Sequence, residues 1–149
     1  MKRCTTIVTE AHPFDAIVCI ESYPATYEEC MSIAAVSKQN GLPVAVFSNS
    51  NPQVDYAGIG VDVVSFKPGG GFQIMSGTSM AAPHVAGLVA CLLTNGQTTA
   101  STRQRLNELA IDIDAVGVDN ATGVGFPTYL DRDSFDQMFR VDDAKASVY

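Results

Sequence analysis

"SGTSMAAPHVAGLVA", residues Ser76–Ala90, is the stretch on which the reading of this chain turns. Met80, Ala81, Ala82, Val85, Ala86, Leu88, Val89, Ala90, Leu92 and Leu93 are apolar on every side of a helix. A helix that is apolar all round is expected at the centre of a fold. Thr94, Asn95 and Gly96 supply its stop. At the other end, small residues lead into Ser79 at the first helical turn, where N–H groups lack partners within the helix and the dipole is positive. A serine there has its own N–H available to a developing oxyanion, and Gly77 keeps the approach free of a side chain. Pro83 removes a donor one turn on and leaves the Ser79 carbonyl without its usual partner, an irregularity of the kind that marks functional sites. A bare "GTS" before an apolar helix is more commonly just an N-cap, so the longer string has to carry the functional reading.

Upstream, "FDAIVCIES" (Phe14–Ser22), "CMSIAAVS" (Cys30–Ser37), "LPVAVFS" (Leu42–Ser48) and "GVDVVSF" (Gly60–Phe66) are short apolar runs and are expected as strands. "YPATYEE" and "KQNG" separate them as turns, and "KPGGG" follows as a loop. Downstream, the spacing predicts an amphipathic helix over Thr99–Ile111, with Leu106, Leu109 and Ala110 inward and Arg103, Arg105 and Glu108 outward. "VGVDNATGVGFP" is a loop or hairpin. Asp131–Tyr149, rich in Asp, is a peripheral helix or loose tail. Strands followed by a central helix indicate an α/β layered fold, and 149 residues with 46% hydrophobic content suit one domain.

Sixteen acidic against nine basic residues give a formal charge of −7, which attracts neither nucleic acid nor an anionic membrane. Met80–Leu93 is interrupted by Pro83, His84 and Gly87 and is too short to span a bilayer. The start, "KRCTTIVTEAHPFD", lacks the apolar core of a signal peptide, and the compartment stays open. Cys4, Cys19, Cys30 and Cys91 show no metal-ligand spacing; they are expected as reduced, mostly buried thiols, with a Cys19–Cys30 disulfide as the alternative in an oxidising compartment. No cofactor or metal is expected. "PGGGF" (Pro68–Phe72) is not followed by the Lys-Ser/Thr of a phosphate cradle. Asp112, Asp114, Asp119 and Asn120 lack the rest of a calcium-loop pattern.

With Gly77, Thr78, Ser79, Met80, Pro83, His84, Val85, Ala86 and Gly87 in register, the opening stretch resembles the nucleophile segment of the subtilisin-like serine proteases (subtilases). "YPATYEECMSIAAVS" resembles their segment after the substrate cleft, "AVFSNSNPQVDYAGIGVDVVSF" the following strand-turn-strand, and "AIDIDAVGVDNATGVG" the turn that closes the domain. The resemblance implies a three-layer α/β fold with a mostly parallel sheet and a central buried helix, here incomplete at its N-terminal side. Residues 16–130 would be the C-terminal half of the peptidase domain, residues 1–15 an unassigned segment and residues 131–149 the tail. It further implies a triad in the chain order Asp, His, Ser, with Ser79 attacking a peptide carbonyl once the histidine has taken its proton.

The partners of Ser79 depart from the family pattern. The chain has no His-Gly pair, and only 78 residues precede Ser79. His12 in "EAHPFD" reads as a surface loop residue, and the resemblance makes His84 structural. No asparagine precedes Asn40 to complete the oxyanion hole, and Ile59 in "AGIGV" stands where the family commonly has proline. The implied partners are a polypeptide substrate and the missing N-terminal half, on another chain or upstream; the alternative is a non-catalytic interaction module. The isolated chain is expected to be inactive and, with a sheet edge and part of the core uncovered, to fold poorly or aggregate.

Overall fold

The computed structural model describes residues 23, 25–94, 96 and 98–139. The strand expected at Phe14–Ser22, together with Cys4, Cys19, His12 and the proposed disulfide, lies outside the described residues. The elements run β1 (Ile33–Val36), β2 (Tyr56–Ile59), β3 (Val63–Phe66), β4 (Phe72–Met75), α1 (Thr78–Thr94), α2 (Thr99–Leu109), β5 (Ala110–Ile111), β6 (Phe126–Pro127) and α3 (Arg132–Phe139).

β1 and β2 form a parallel pair, Ile33 opposite Tyr56 through to Val36 opposite Ile59. All eight residues are buried, which explains why β1 reads as a continuous apolar run rather than an alternating one. Alternate side chains enter different layers. Ile33, Ala35 and Tyr56 pack with Ala81, Val85 and Leu92 of α1 and Leu106 of α2. Ala34, Val36, Ala57 and Ile59 pack on the other side with Leu42, Val54, Ile111, Ile113 and Phe135 of α3. Neighbouring chain extends the layer on both flanks. The Ala45 N–H donates to the Ala35 carbonyl at 2.9 Å, and the Ala57 N–H donates to the Gly125 carbonyl at 2.9 Å.

"LPVAVFS" is not a strand. Gly41 and Leu42 both take positive φ, +73° and +50°, which swings the chain back so that Val44 makes a single antiparallel bridge to Val36. The chain then turns again, the Ser48 N–H donating to the Ala45 carbonyl at 2.8 Å. The run expected from Gly60 begins as a strand only at Val63, because Gly60 ends β2 and Asp62 sits at φ +51°. "KPGGG" is the tip of an antiparallel hairpin whose second arm, β4, is absent from the sequence reading.

α1 is not buried on all sides. Ala81, Ala82, Val85 and Leu92 face the core, whereas Ser79, Pro83, Gly87, Ala90, Cys91 and Thr94 are exposed along one stripe. Cys91 therefore departs from the expected buried thiols, while Cys30 is buried. α2 follows its expected phase with Leu106 buried. Thr98 caps it, its hydroxyl accepting the Ser101 N–H at 3.2 Å while the Thr98 N–H donates to the Ser101 hydroxyl at 2.8 Å. Ala110 and Ile111 leave the helix for β5. Arg103, expected outward, turns inward. Its guanidinium donates to Asp55 Oδ1 at 2.8 Å and to the Cys30 carbonyl at 2.5 Å.

Candidate active site

β2 ends in "YAGIG", and glycines 58 and 60 fall on the face turned to α1. A Cβ on Gly58 would lie 2.6 Å from the Ala81 carbonyl oxygen, and one on Gly60 2.8 Å from that of Gly77 and 2.7 Å from the Ala35 Cβ. Only bare backbone lets the start of α1 come this close. The contact is fixed by a hydrogen bond from the Gly77 N–H to the Gly60 carbonyl, 2.8 Å.

A second tie lies two residues after Gly60 and one before Gly77. The Ser76 hydroxyl accepts the Asp62 N–H at 2.9 Å and donates to Asp62 Oδ1 at 3.4 Å. Ser76 thus holds the turn between β2 and β3 against the turn between β4 and α1. Motif alone does not single out Gly58, Gly60, Asp62 and Ser76 as positioning residues; the alternate-position glycines in "AGIG" are the sequence signal for the first two.

Ser79 is exposed as the second residue of α1. The Met80 N–H is the first helical amide with a described acceptor, bonding the Gly77 carbonyl at 2.9 Å, followed by Ala81 to the same oxygen at 3.3 Å. Among the described residues the N–H groups of Thr78 and Ser79 have no acceptor, and they point outward from a helix start of positive potential. The Ser79 hydroxyl also has no hydrogen-bond partner among the described residues. Pro83 lies inside α1, so the Ser79 carbonyl has no helical donor four residues on.

His84 does not approach Ser79 as a base would. Five residues along a helix is a rotation of about 140°, and Nδ1 of His84 lies 2.8 Å from the Met80 carbonyl of its own helix. Because a carbonyl can only accept, Nδ1 carries the proton there.

Behind the site, the Tyr56 hydroxyl donates to Asn107 Oδ1 at 2.6 Å. Burial, and then the nearby Asp55 carboxylate, push the Tyr56 pKa up to about 12, with Arg103 opposing. The acidic loop does different work. Asp112 Oδ2 accepts the Gly117 N–H at 2.8 Å, and Asp119 Oδ1 accepts those of Ala121 and Thr122 at 2.6 and 2.7 Å, closing the turn before β6. Among the described residues no three His, Cys, Asp or Glu side chains converge on a point that could hold a metal ion, and no helix is long and apolar enough to cross a membrane.

The Subtilase family pattern matches residues 20–135. The chain is 43% identical over 94 residues to the thermophilic serine proteinase of Bacillus sp. (strain AK1), covering 63% of this chain and 23% of that protein. It is 35% identical over 124 residues to subtilisin-like protease 7 of Arthroderma benhamiae, covering 77% and 29%. Among solved structures, Sphericase aligns with TM-score 0.67 at 28% identity over 72% of this chain and 43% of its own. Fervidolysin from Fervidobacterium pennivorans aligns with TM-score 0.63 at 31% identity over 77% of this chain and 20% of its own. The chain therefore spans only about a quarter of the length of the curated relatives it matches. With that family's pattern matched over residues 20–135, well over half of its length, this chain belongs to the Subtilase family.

Proposed function

We propose that Ser79 is the nucleophile of a serine-type endopeptidase and that this chain supplies it without the general base. The observation that carries the reading is the exposed Ser79 hydroxyl on the first turn of α1, beside two N–H groups with no described acceptor. When the hydroxyl oxygen attacks a peptide carbonyl, the carbonyl oxygen becomes an anion, and a helix start with open N–H groups stabilises charge at that place. The attacking oxygen must lose its proton. His84 is tied to Met80, so the proton passes to a histidine outside this chain's candidates, oriented by an aspartate.

The exposed stripe of α1 supports the same division. Pro83, Gly87, Ala90 and Cys91 continue the line that Ser79 begins, so a segment covering that stripe stands next to the nucleophile. The partner is accordingly the Asp- and His-bearing half of a subtilase domain, and the substrate is a polypeptide. The test is hydrolysis of denatured casein by the chain combined with such a half. Cleavage that requires both pieces and disappears in Ser79→Ala supports the proposal. Binding of casein without cleavage would instead favour a non-catalytic interaction module.

A further inference from the structure

The hairpin β3–β4 carries an apolar ladder that the candidate active site does not use. Val64 pairs with Ile74 and Phe66 with Phe72 across the strands. These residues keep 60%, 66%, 77% and 65% of their accessible surface, and the two phenyl rings lie with centroids 4.8 Å apart and planes tilted by 31°. Strand alternation puts them on one face, closed at its base by the Ser76–Asp62 hydrogen bond. The only residue of either strand that reaches the core is Val63. Among the described residues no third strand pairs with the hairpin, and a two-stranded sheet is marginal without further packing. An apolar patch of this kind, with polar residues at its rim, marks an association surface.

We propose that this face is a self-association surface, occupied by the same hairpin of a second copy of the chain. A closed two-fold interface needs a patch complementary to itself. From Val63 to Met75 the sole charged residue is Lys67, at the tip, while Asp62 stands at the base. A two-fold axis that stacks the faces and reverses the strands sets tip over base. Lys67 of each copy then meets Asp62 of the other, and the phenyl pair of one covers the smaller Val64–Ile74 pair of the other. Between Val63 and Met75 the hairpin contains no Asp or Glu, so the stacked apolar faces bring no two carboxylates together. One hairpin face falls short of the ~800 Å² per partner of a standard interface, so the pairing is weak and rises with concentration.

The experiment is zero-length carbodiimide crosslinking of the full chain over a concentration series, with the linked peptides mapped by mass spectrometry. Within one copy, Asp62 and Lys67 lie at opposite ends of β3, about 16 Å apart at the strand rise, so a Lys67–Asp62 link reports contact between copies. The expected result is a dimer bearing that link, increasing with concentration and reduced at least tenfold in Phe66→Thr/Phe72→Thr, which keeps strand propensity. Lys67→Glu at the exposed tip leaves the ladder whole and is expected to weaken dimerisation in sedimentation, so the question stays open to refutation should the double variant unfold. Absence of the link at the highest concentration, or crosslinked dimers joined only elsewhere, would overturn the proposal.

Discussion

The carbonyl oxygen of Gly60, at the end of β2, accepts the N–H of Gly77 at 2.8 Å, two residues before Ser79. This single bond couples the buried parallel pair to the helix start. Gly60→Ala would place a Cβ 2.7 Å from that of Ala35 and 2.8 Å from the Gly77 carbonyl. The expected outcome is a loss of about 1–3 kcal/mol of stability, read by urea denaturation. Because the clash falls on Gly77, Ser79 is displaced as well. Gly41→Ala is a control without a packing clash, since nothing lies within 4 Å of a Cβ there, although its φ of +73° adds backbone strain.

Tyr56 makes stability sensitive to alkali. Its folded pKa is about 12 against an ordinary 10.0, so the folded state binds the proton more tightly than the unfolded chain. Its contribution is complete below pH 10 and is lost as pH rises from about 10 to 12. Denaturation midpoints measured from pH 8 to 12 are expected to fall in that window. Tyr56→Phe is expected to remove this part of the fall and, by leaving Asn107 without its donor, to cost about 1 kcal/mol at pH 8.

Arg103 joins α2 to the segment before β1. Its guanidinium bonds Asp55 at 2.8 Å and the carbonyls of Cys30 and Glu28 at 2.5 and 3.3 Å, while Asp55 Oδ2 accepts the Ser32 N–H at 2.8 Å. Arg103→Met keeps most of the stem and deletes the donors. With both side chains partly exposed, at 35% and 27%, the loss expected in urea denaturation is about 1–3 kcal/mol. The neighbouring substitution Arg105→Met removes only a surface pair with Glu108, and its expected effect is under about 1 kcal/mol.

The parts of the fold legible in the sequence are those set by local pattern. "IAAV" and the apolar run from Met80 announce a buried strand and a core helix, and the "SGTSMAAPH" string singles out Ser79 as the candidate nucleophile. Other features depend on what lies across space. The outer stripe of α1 is as apolar as its inner face, so periodicity alone does not reveal which side stays uncovered. "LPVAVFS" has the composition of a strand, but the left-handed pair Gly41–Leu42 and the turn at Ala45–Ser48 leave it one bridge. Arg103 has the helical phase of an outward residue, and only its length and the acceptors of a distant segment bring it inward. The Asp62–Ser76 tie joins residues 14 apart, which no local window links.

The central claim is that Ser79 is a nucleophile whose base lies outside residues 1–149. The most direct measurement is fluorophosphonate labelling read by intact mass, on the chain alone and on the chain combined with an Asp- and His-bearing subtilase half, with Ser79→Ala as control. The account predicts one label per chain only in the combination, and none in the variant. Labelling of the chain alone that is lost in Ser79→Ala would contradict the missing base, and a folded combination that stays unlabelled would contradict the nucleophile itself.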